Sequence, residues 1–313
     1  MLRLQWPGSM AITFVCLCAS ALALAQQKEA GFQTAVNRAM AGGRGAAVVL
    51  DVENGKILAA YHPKIAAQRL AAPGSSIKPF TLKALLVNGK VDAASKLVCK
   101  RSLNVAGHRL DCSHPQIGQP LDAATALAYS CNTYFTTMAA RLSPSELRES
   151  FIKDGFSHPT GLAADEMPGS LALASSTSEL QLQAIGEWGV QVTPLELLFA
   201  YRNLARQVAN ANDPKLTVIL EGLEGSTSYG MARSAQPENG VRVAGKTGTA
   251  NSDEGPWTHG WFAGFAPAEK PRIVLVVFLE KGRGSDAADI ARQIFALASS
   301  TRGGASRVGA AAQ

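Results

Sequence analysis

The sequence predicts an α/β fold of the α+β type: an antiparallel sheet flanked by helices, with an all-helical subdomain. Three observations point to it. Two apolar runs joined by a turn open the body of the chain, a helical middle follows, and apolar runs return before one last amphipathic stretch. Strands at both ends with helices between them require distant segments to pair, unlike the alternation of a βαβ repeat. Composition agrees, since 313 residues with 47% hydrophobic and 17% charged side chains can bury a full core. That excludes collagen-like, disordered and coiled-coil classes.

The first segment reads as an export leader over 1–25. Arg3 is positive, Met10 to Leu24 is almost wholly apolar, and Ala23-Leu24-Ala25 is a small-x-small cleavage signal. The mature chain then begins at Gln26, and an uncleaved leader would anchor it to a membrane. Either way the body, 26–298, is expected outside the cytoplasm, away from ATP and where thiols can oxidise.

Gly45 to Val52 and Lys56 to Tyr61 flank Glu53-Asn54-Gly55, and an Asn-Gly turn between apolar runs signals a hairpin. In the middle, Ser143-Pro144-Ser145-Glu146, Ser176-Thr177-Ser178-Glu179 and Thr193-Pro194-Leu195-Glu196 each place a hydroxyl three residues before an acid. That is the mark of a capped helix start. After Thr193, the residues Leu195, Leu198, Phe199 and Leu204 form a core-facing stripe. Strands are expected at Val241–Ala244, Gly260–Phe265 and Arg272–Leu279, then a covering helix from Asp286 to Leu297. The tail 299–313, rich in Ser, Gly, Ala and Arg, is expected to be disordered.

Of five cysteines, Cys16 and Cys18 belong to the leader. Cys99 and Cys112 flank a polar stretch with a Gly turn that can fold back, so a Cys99–Cys112 disulfide is an expectation. Cys131 is expected as a small buried hydrophobe. Cys99, His108, Cys112 and His114 include zinc-ligand types, but their spacing follows no zinc pattern, and no metal or other cofactor is expected. The net charge of +6 is scattered rather than gathered into a stripe, which argues against nucleic acid as a partner.

Gly240 to Thr247 matches the phosphate-loop letters G-x-x-x-x-G-K-[ST]. Those letters bind phosphate only as a loop opening a helix. Here they alternate like a strand and lead into Gly248–Pro256, which cannot sustain a helix, so no nucleotide partner is expected. Read as a strand, Lys246-Thr247-Gly248-Thr249 offers a cation, two hydroxyls and a glycine that lets a ligand lie along the backbone. Such an edge suits an extended peptide ending in a carboxylate.

A second element is Pro73-Gly74-Ser75-Ser76-Ile77-Lys78-Pro79. Ser75 is expected to cap a helix that carries Lys78 on the same face, with Pro79 tolerated in the first turn. Ser150-Phe151-Ile152-Lys153 has the same S-x-x-K letters but sits within a helix. At Ser75, the helix start favours a developing oxyanion. The third element, Ser130-Cys131-Asn132, falls at a helix-to-helix corner, whereas its decoy Ser102-Leu103-Asn104 lies in the cysteine-flanked loop.

In this order the three elements resemble the penicillin-binding serine acyltransferase superfamily, in which S-x-x-K, S-x-N and K-T-G line one cleft. Further matching strings are Gly189 to Glu196, Gly245 to Ala250 and Trp261 to Pro267, and the resemblance runs from about Arg44 to Leu297. It is most similar to the transpeptidase domain of cell-wall penicillin-binding proteins and implies a β-lactamase/transpeptidase-like fold. It further implies peptidoglycan stem peptides as substrate and β-lactams as covalent inhibitors.

The implied roles are a Ser75 nucleophile, Lys78 as its base, and Ser130 as proton relay to the leaving amine. Desolvation and a neighbouring cation, Lys246, would lower the pKa of Lys78. Asn132 would hold the substrate amide, and Thr247, Gly248 and Thr249 would line the carboxylate site. The backbone N–H groups of Ser75 and Thr249 would form the oxyanion hole, each worth about 3 kcal/mol.

Departures narrow this reading. No room is expected for a glycosyltransferase domain, and the sequence lacks the E-x-x-L-N string of class A β-lactamases and the Y-G-N triplet of class D. A β-lactamase or a non-turnover sensor is thus the lesser expectation. No H-E-x-x-H supports a metallopeptidase, and Trp188, Trp257 and Trp261 are expected to pack rather than line the cleft.

Overall fold

A computed structural model describes residues 26–27, 29–210 and 212–298. The expected leader and tail lie outside the described residues. The body opens with helix α1 over 29–39. Strands β1 (Gly45–Asp51) and β2 (Ile57–Tyr61) then pair antiparallel. Their turn forms because Asp51 Oδ1 accepts from the N–H groups of Glu53 and Asn54, and Gly55 takes a φ of 76°.

The helical middle contains α2 (Pro63–Gln68), α3 (Lys78–Val87), α4 (Ala123–Ala128), α5 (Asn132–Ala139), α6 (Pro144–Asp154), α7 (Thr177–Ala184), α8 (Pro194–Asn210) and α9 (Pro214–Ser228). All three sequence-identified caps form. Ser143 and Glu146 make a reciprocal pair, Ser176 Oγ accepts from Glu179 N–H, and Thr193 Oγ1 accepts from Glu196 N–H. Glu196 does more than cap. Its buried carboxylate also accepts from the Ser157 backbone, and burial raises its pKa to about 7 against those hydrogen bonds.

The chain returns to the sheet with β7 (Ala244–Asn251), β8 (Thr258–Ala266) and β9 (Ile273–Leu279), and α10 (Gly284–Phe295) covers it. Only Ala244 of the expected Val241–Ala244 strand is strand. The Gln236 side chain donates to Val241 O at 2.6 Å and accepts from Val243 N–H at 3.3 Å, standing in for a neighbouring strand. The strand begins later and runs through Lys246-Thr247-Gly248-Thr249, and no helix follows it.

The main sheet has the order β2-β1-β9-β8-β7, all antiparallel, which leaves β7 at an edge among the described residues. Alternate residues of β9 enter opposite cores. Val274, Val276 and Phe278 face the helical side, while Leu275 and Val277 face α1 and α10. The sheet is therefore a central layer buried on both faces. Two-residue pairings, β3 (Asn104–Val105) with β4 (His108–Arg109) and β5 (Ser170–Leu171) with β6 (Val190–Gln191), tie down the long loops.

Candidate active site

The turn that carries Ser75 is built against the edge strand. Gly74–Ile77 is a 3-10 turn entering α3, and Gly74 has a φ of 51°. A Cβ on Gly74 would lie 2.5 Å from Thr249 O, and one on Gly248 would lie 2.3 Å from Pro73 O. Two glycines thus let the turn and β7 touch backbone to backbone. The turn is held from behind: Tyr201 OH donates to Ser76 O at 2.8 Å, Ser76 Oγ to Pro73 O at 2.8 Å, and Trp261 Nε1 to Ala72 O at 2.9 Å. Trp261 is fully buried and does not line the cavity, so it packs and holds the turn.

Ser75 does not cap α3. Because the chain enters the helix through the 3-10 turn, the cap position falls at Ile77, and no side chain caps there. The Ser75 hydroxyl makes no hydrogen bond to a described residue. It lines a cavity of about 390 Å³ together with Ser130, Asn132, Thr247 and Thr249.

Lys78 is fully buried and bonds not to Ser75 but to the S-x-N corner. Its Nζ donates to Asn132 Oδ1 at 2.5 Å, Ser130 O at 2.8 Å and Ser130 Oγ at 3.2 Å. Ser130 adopts a φ of 55°, unusual for a residue with a side chain, between the end of α4 and the first residue of α5. Asn132 Nδ2 donates to Leu110 O at 3.0 Å, which fixes the amide so that its oxygen meets Lys78.

Two of the three acceptors around Lys78 are carbonyl-type oxygens that can only accept. A neutral amine can satisfy both with its two hydrogens and turn its lone pair to a hydroxyl. Burial lowers the Lys78 pKa to about 8, opposed by Cys131, Cys112 and Glu187. Burial is the first cause expected from the sequence, and the second, a neighbouring cation, is also in place: Lys246, likewise fully buried, is pushed well below its ordinary value by burial first and by repulsion with Lys78 second. Lys246 Nζ donates to Thr247 O at 3.1 Å.

On the β7 side of the cavity, Thr249 Oγ1 accepts from Gly284 N–H at 2.9 Å, coupling β7 to the start of α10. Sequence reasoning missed Glu187, Arg283 and Ser285, which line the same cavity. The Gly-rich surroundings of Glu187 and Arg283 were the available signal, but nothing local tells which cavity a loop residue faces. Burial raises the Glu187 pKa, opposed by the Lys78 charge.

The expected Cys99–Cys112 bridge is not formed, and both thiols are free. Cys112 instead faces Cys131, with sulfur atoms 3.9 Å apart, so Cys131 is buried but not merely a hydrophobe. The decoys stand apart. Ser150 lies in α6 and Ser102 precedes β3, and neither lines the cavity.

A five-stranded antiparallel sheet between two helical layers, with a hydroxyl and a hydrogen-bonded buried lysine beside the K-T-G edge strand, defines the class of serine acyl-enzyme folds. Residues 45–296 match the family model described as "Penicillin binding protein transpeptidase domain", and the chain belongs to that family. It is 28% identical over 283 residues to a "Probable peptidoglycan D,D-transpeptidase PbpC" of Pseudomonas aeruginosa, covering 75% of this chain and 49% of that protein. It is 24% identical over 357 residues to the "Peptidoglycan D,D-transpeptidase MrdA" of Acinetobacter baumannii, covering 85% and 52%. The chain thus spans about half the length of these curated relatives. Among solved structures, it is similar to the D,D-transpeptidase domain of a peptidoglycan glycosyltransferase from Eggerthella lenta. That match has a TM-score of 0.72 and 25% identity, over 85% of this chain and 80% of that one.

Proposed function

We propose that this chain is a D,D-transpeptidase that acts on peptidoglycan stem peptides ending in D-Ala-D-Ala through a Ser75 acyl-enzyme. The observation that carries the reading is Lys78: a buried amine of lowered pKa, bonded to Ser130 and Asn132, beside the cavity that holds the Ser75 hydroxyl.

In the proposed sequence, Ser75 Oγ attacks the carbonyl of the terminal peptide bond while its proton passes to neutral Lys78. The developing oxyanion is held by the backbone N–H groups of Ser75 and Thr249. Collapse breaks the C–N bond, and the departing D-Ala amine takes a proton from Lys78 by way of Ser130 Oγ. The substrate lies along the edge of β7, its carboxylate at Thr247 and Thr249. The amine of a second stem peptide then attacks the ester and frees Ser75. A β-lactam would enter the same route and stop at the ester. The leader at 1–25 supports work outside the cytoplasm, on a wall substrate.

Glu187 supports a second outcome, hydrolysis. A carboxyl in the cavity that holds the ester could activate water in place of the acceptor amine, giving carboxypeptidase or slow β-lactamase turnover.

Labelling with a fluorescent penicillin tests the main reading. One label per chain is expected, lost in Ser75→Ala and kept in Ser150→Ala; equal labelling of the two variants would defeat the assignment. The lifetime of the acyl-enzyme then separates transpeptidase-like persistence from rapid hydrolysis.

A further inference from the structure

Beside the S-x-N corner, three thiols and an imidazole converge. The ligand atoms of Cys99, Cys112, His114 and Cys131 all lie within 4.8 Å of one another. Cys112, His114 and Cys131 are buried and Cys99 is half-buried. From this arrangement we infer that the protein holds a structural zinc ion in a Cys3His site, a reading that goes beyond acyl transfer and does not depend on it.

Distances favour a shared ion over a disulfide. Tetrahedral zinc, with bonds of about 2.3 Å to sulfur and about 2.0 Å to nitrogen, spaces sulfur pairs about 3.8 Å apart and sulfur–nitrogen pairs about 3.5 Å apart. Here Cys112 and Cys131 Sγ are 3.9 Å apart, and Cys99 Sγ is 3.4 Å from His114 Nε2. A disulfide would need about 2 Å. Three soft sulfur donors and one imidazole select zinc over oxygen-preferring cations, and four protein donors complete a closed structural site.

The surroundings support the ligands. His114 Nδ1 lies 2.7 Å from Pro115 O, so the hydrogen sits on Nδ1 and the Nε2 lone pair faces Cys99. Arg101 N–H donates to Cys99 Sγ at 3.3 Å, and Thr133 Oγ1 lies 3.6 Å from both Cys99 and Cys112 Sγ. The Arg101 guanidinium clamps the backbone by donating to His114 O at 2.6 Å. The sequence expectation of no metal is thereby revised. Its set of four failed because His108 lies exposed on β4, and the fourth ligand, Cys131, comes from the next helical corner.

The ion has a structural task. The stretch 88–122 has no regular element beyond the paired β3 and β4, which is little to order so long a loop. Binding through Cys99, Cys112 and His114 would pin that stretch to Cys131, the residue between Ser130 and Asn132. The same ion would then hold Ser130 in its left-handed conformation and keep both Lys78 partners in place.

Cobalt(II) titration tests this. The full chain carries Cys16→Ser and Cys18→Ser so that three thiols remain, and it is reduced and stripped by a chelator. Intense tetrahedral d–d bands with sulfur-to-cobalt charge transfer are expected, saturating at one cobalt per chain and displaced by one zinc. His108→Ala should match the parent, and Cys99→Ser should lose about a third of the charge-transfer intensity. The Cys99→Ser/His114→Ala double variant should bind at least tenfold more weakly. Weak octahedral bands alone in the reduced parent chain would overturn the site, whatever the variants do. Unchanged charge transfer in Cys99→Ser would overturn the ligand set.

Discussion

Lys78 Nζ lies 2.5 Å from Asn132 Oδ1, joining α3 to the S-x-N corner across 54 positions of chain. Ser130 completes the cradle from the same corner, so one amine reads the geometry of both elements at once.

A pH profile follows from that amine. With Lys78 lowered to about 8, acylation by a β-lactam should rise with pH until about 8 and then level off. On the acid side it should fall about tenfold per unit, because neutral amine is the reactive form. Stopped-flow acylation rates across pH 5 to 10 check this, and a flat profile would remove Lys78 as the base.

Glu187 is a negative neighbour that favours the charged form of Lys78. Glu187→Gln should therefore shift the midpoint of the acylation profile to lower pH. The same variant should lengthen the acyl-enzyme lifetime if the carboxyl serves water. Paired acylation and deacylation rates separate the two effects.

Gly74→Ala should nearly abolish penicillin labelling while leaving the rest of the fold in place. Its Cβ would come within 2.5 Å of Thr249 O from a backbone with positive φ, forcing the Ser75 turn off β7. Circular dichroism alongside labelling shows whether the loss is local.

Lys83 and Asp154 form an ion pair between α3 and α6, with the Asp154 side chain only 4% exposed. Lys83→Ala would strand that carboxylate, and about 3 kcal/mol of stability should be lost. Urea unfolding of the variant against the parent measures it, and a double Lys83→Met/Asp154→Leu variant should recover most of the loss.

Tyr201→Phe removes the hydroxyl that donates to Ser76 O from a fully buried position. About 1 kcal/mol of stability should go with it. Acylation should also slow, because the bond steadies the turn next to Ser75.

Local chemistry was legible in the sequence. Each hydroxyl-to-acid cap at Ser143, Ser176 and Thr193 acts within one helical turn, so spacing alone reveals it. The hairpin turn at Asn54-Gly55 is legible for the same reason. What spacing could not reveal is which distant side chains meet. Lys78 suggested Ser75 because three positions separate them, yet its partners come from Ser130 and Asn132. The start of the third sheet segment was misplaced because Gln236, a side chain, occupies the hydrogen bonds that a strand would offer Val241 and Val243. The cysteines failed similarly, since Cys131 joins Cys99 and Cys112 only after α4 and α5 have been positioned.

The seam between the Ser75 turn and β7 is made of main chain, with Gly74 and Gly248 pressed against carbonyl oxygens. Substitution cannot loosen such a seam by degrees, because the smallest available replacement already adds a methyl where none fits. Side-chain variation is instead open at positions such as Met231, Arg283 and Ser285, which line the cavity outside that backbone seam.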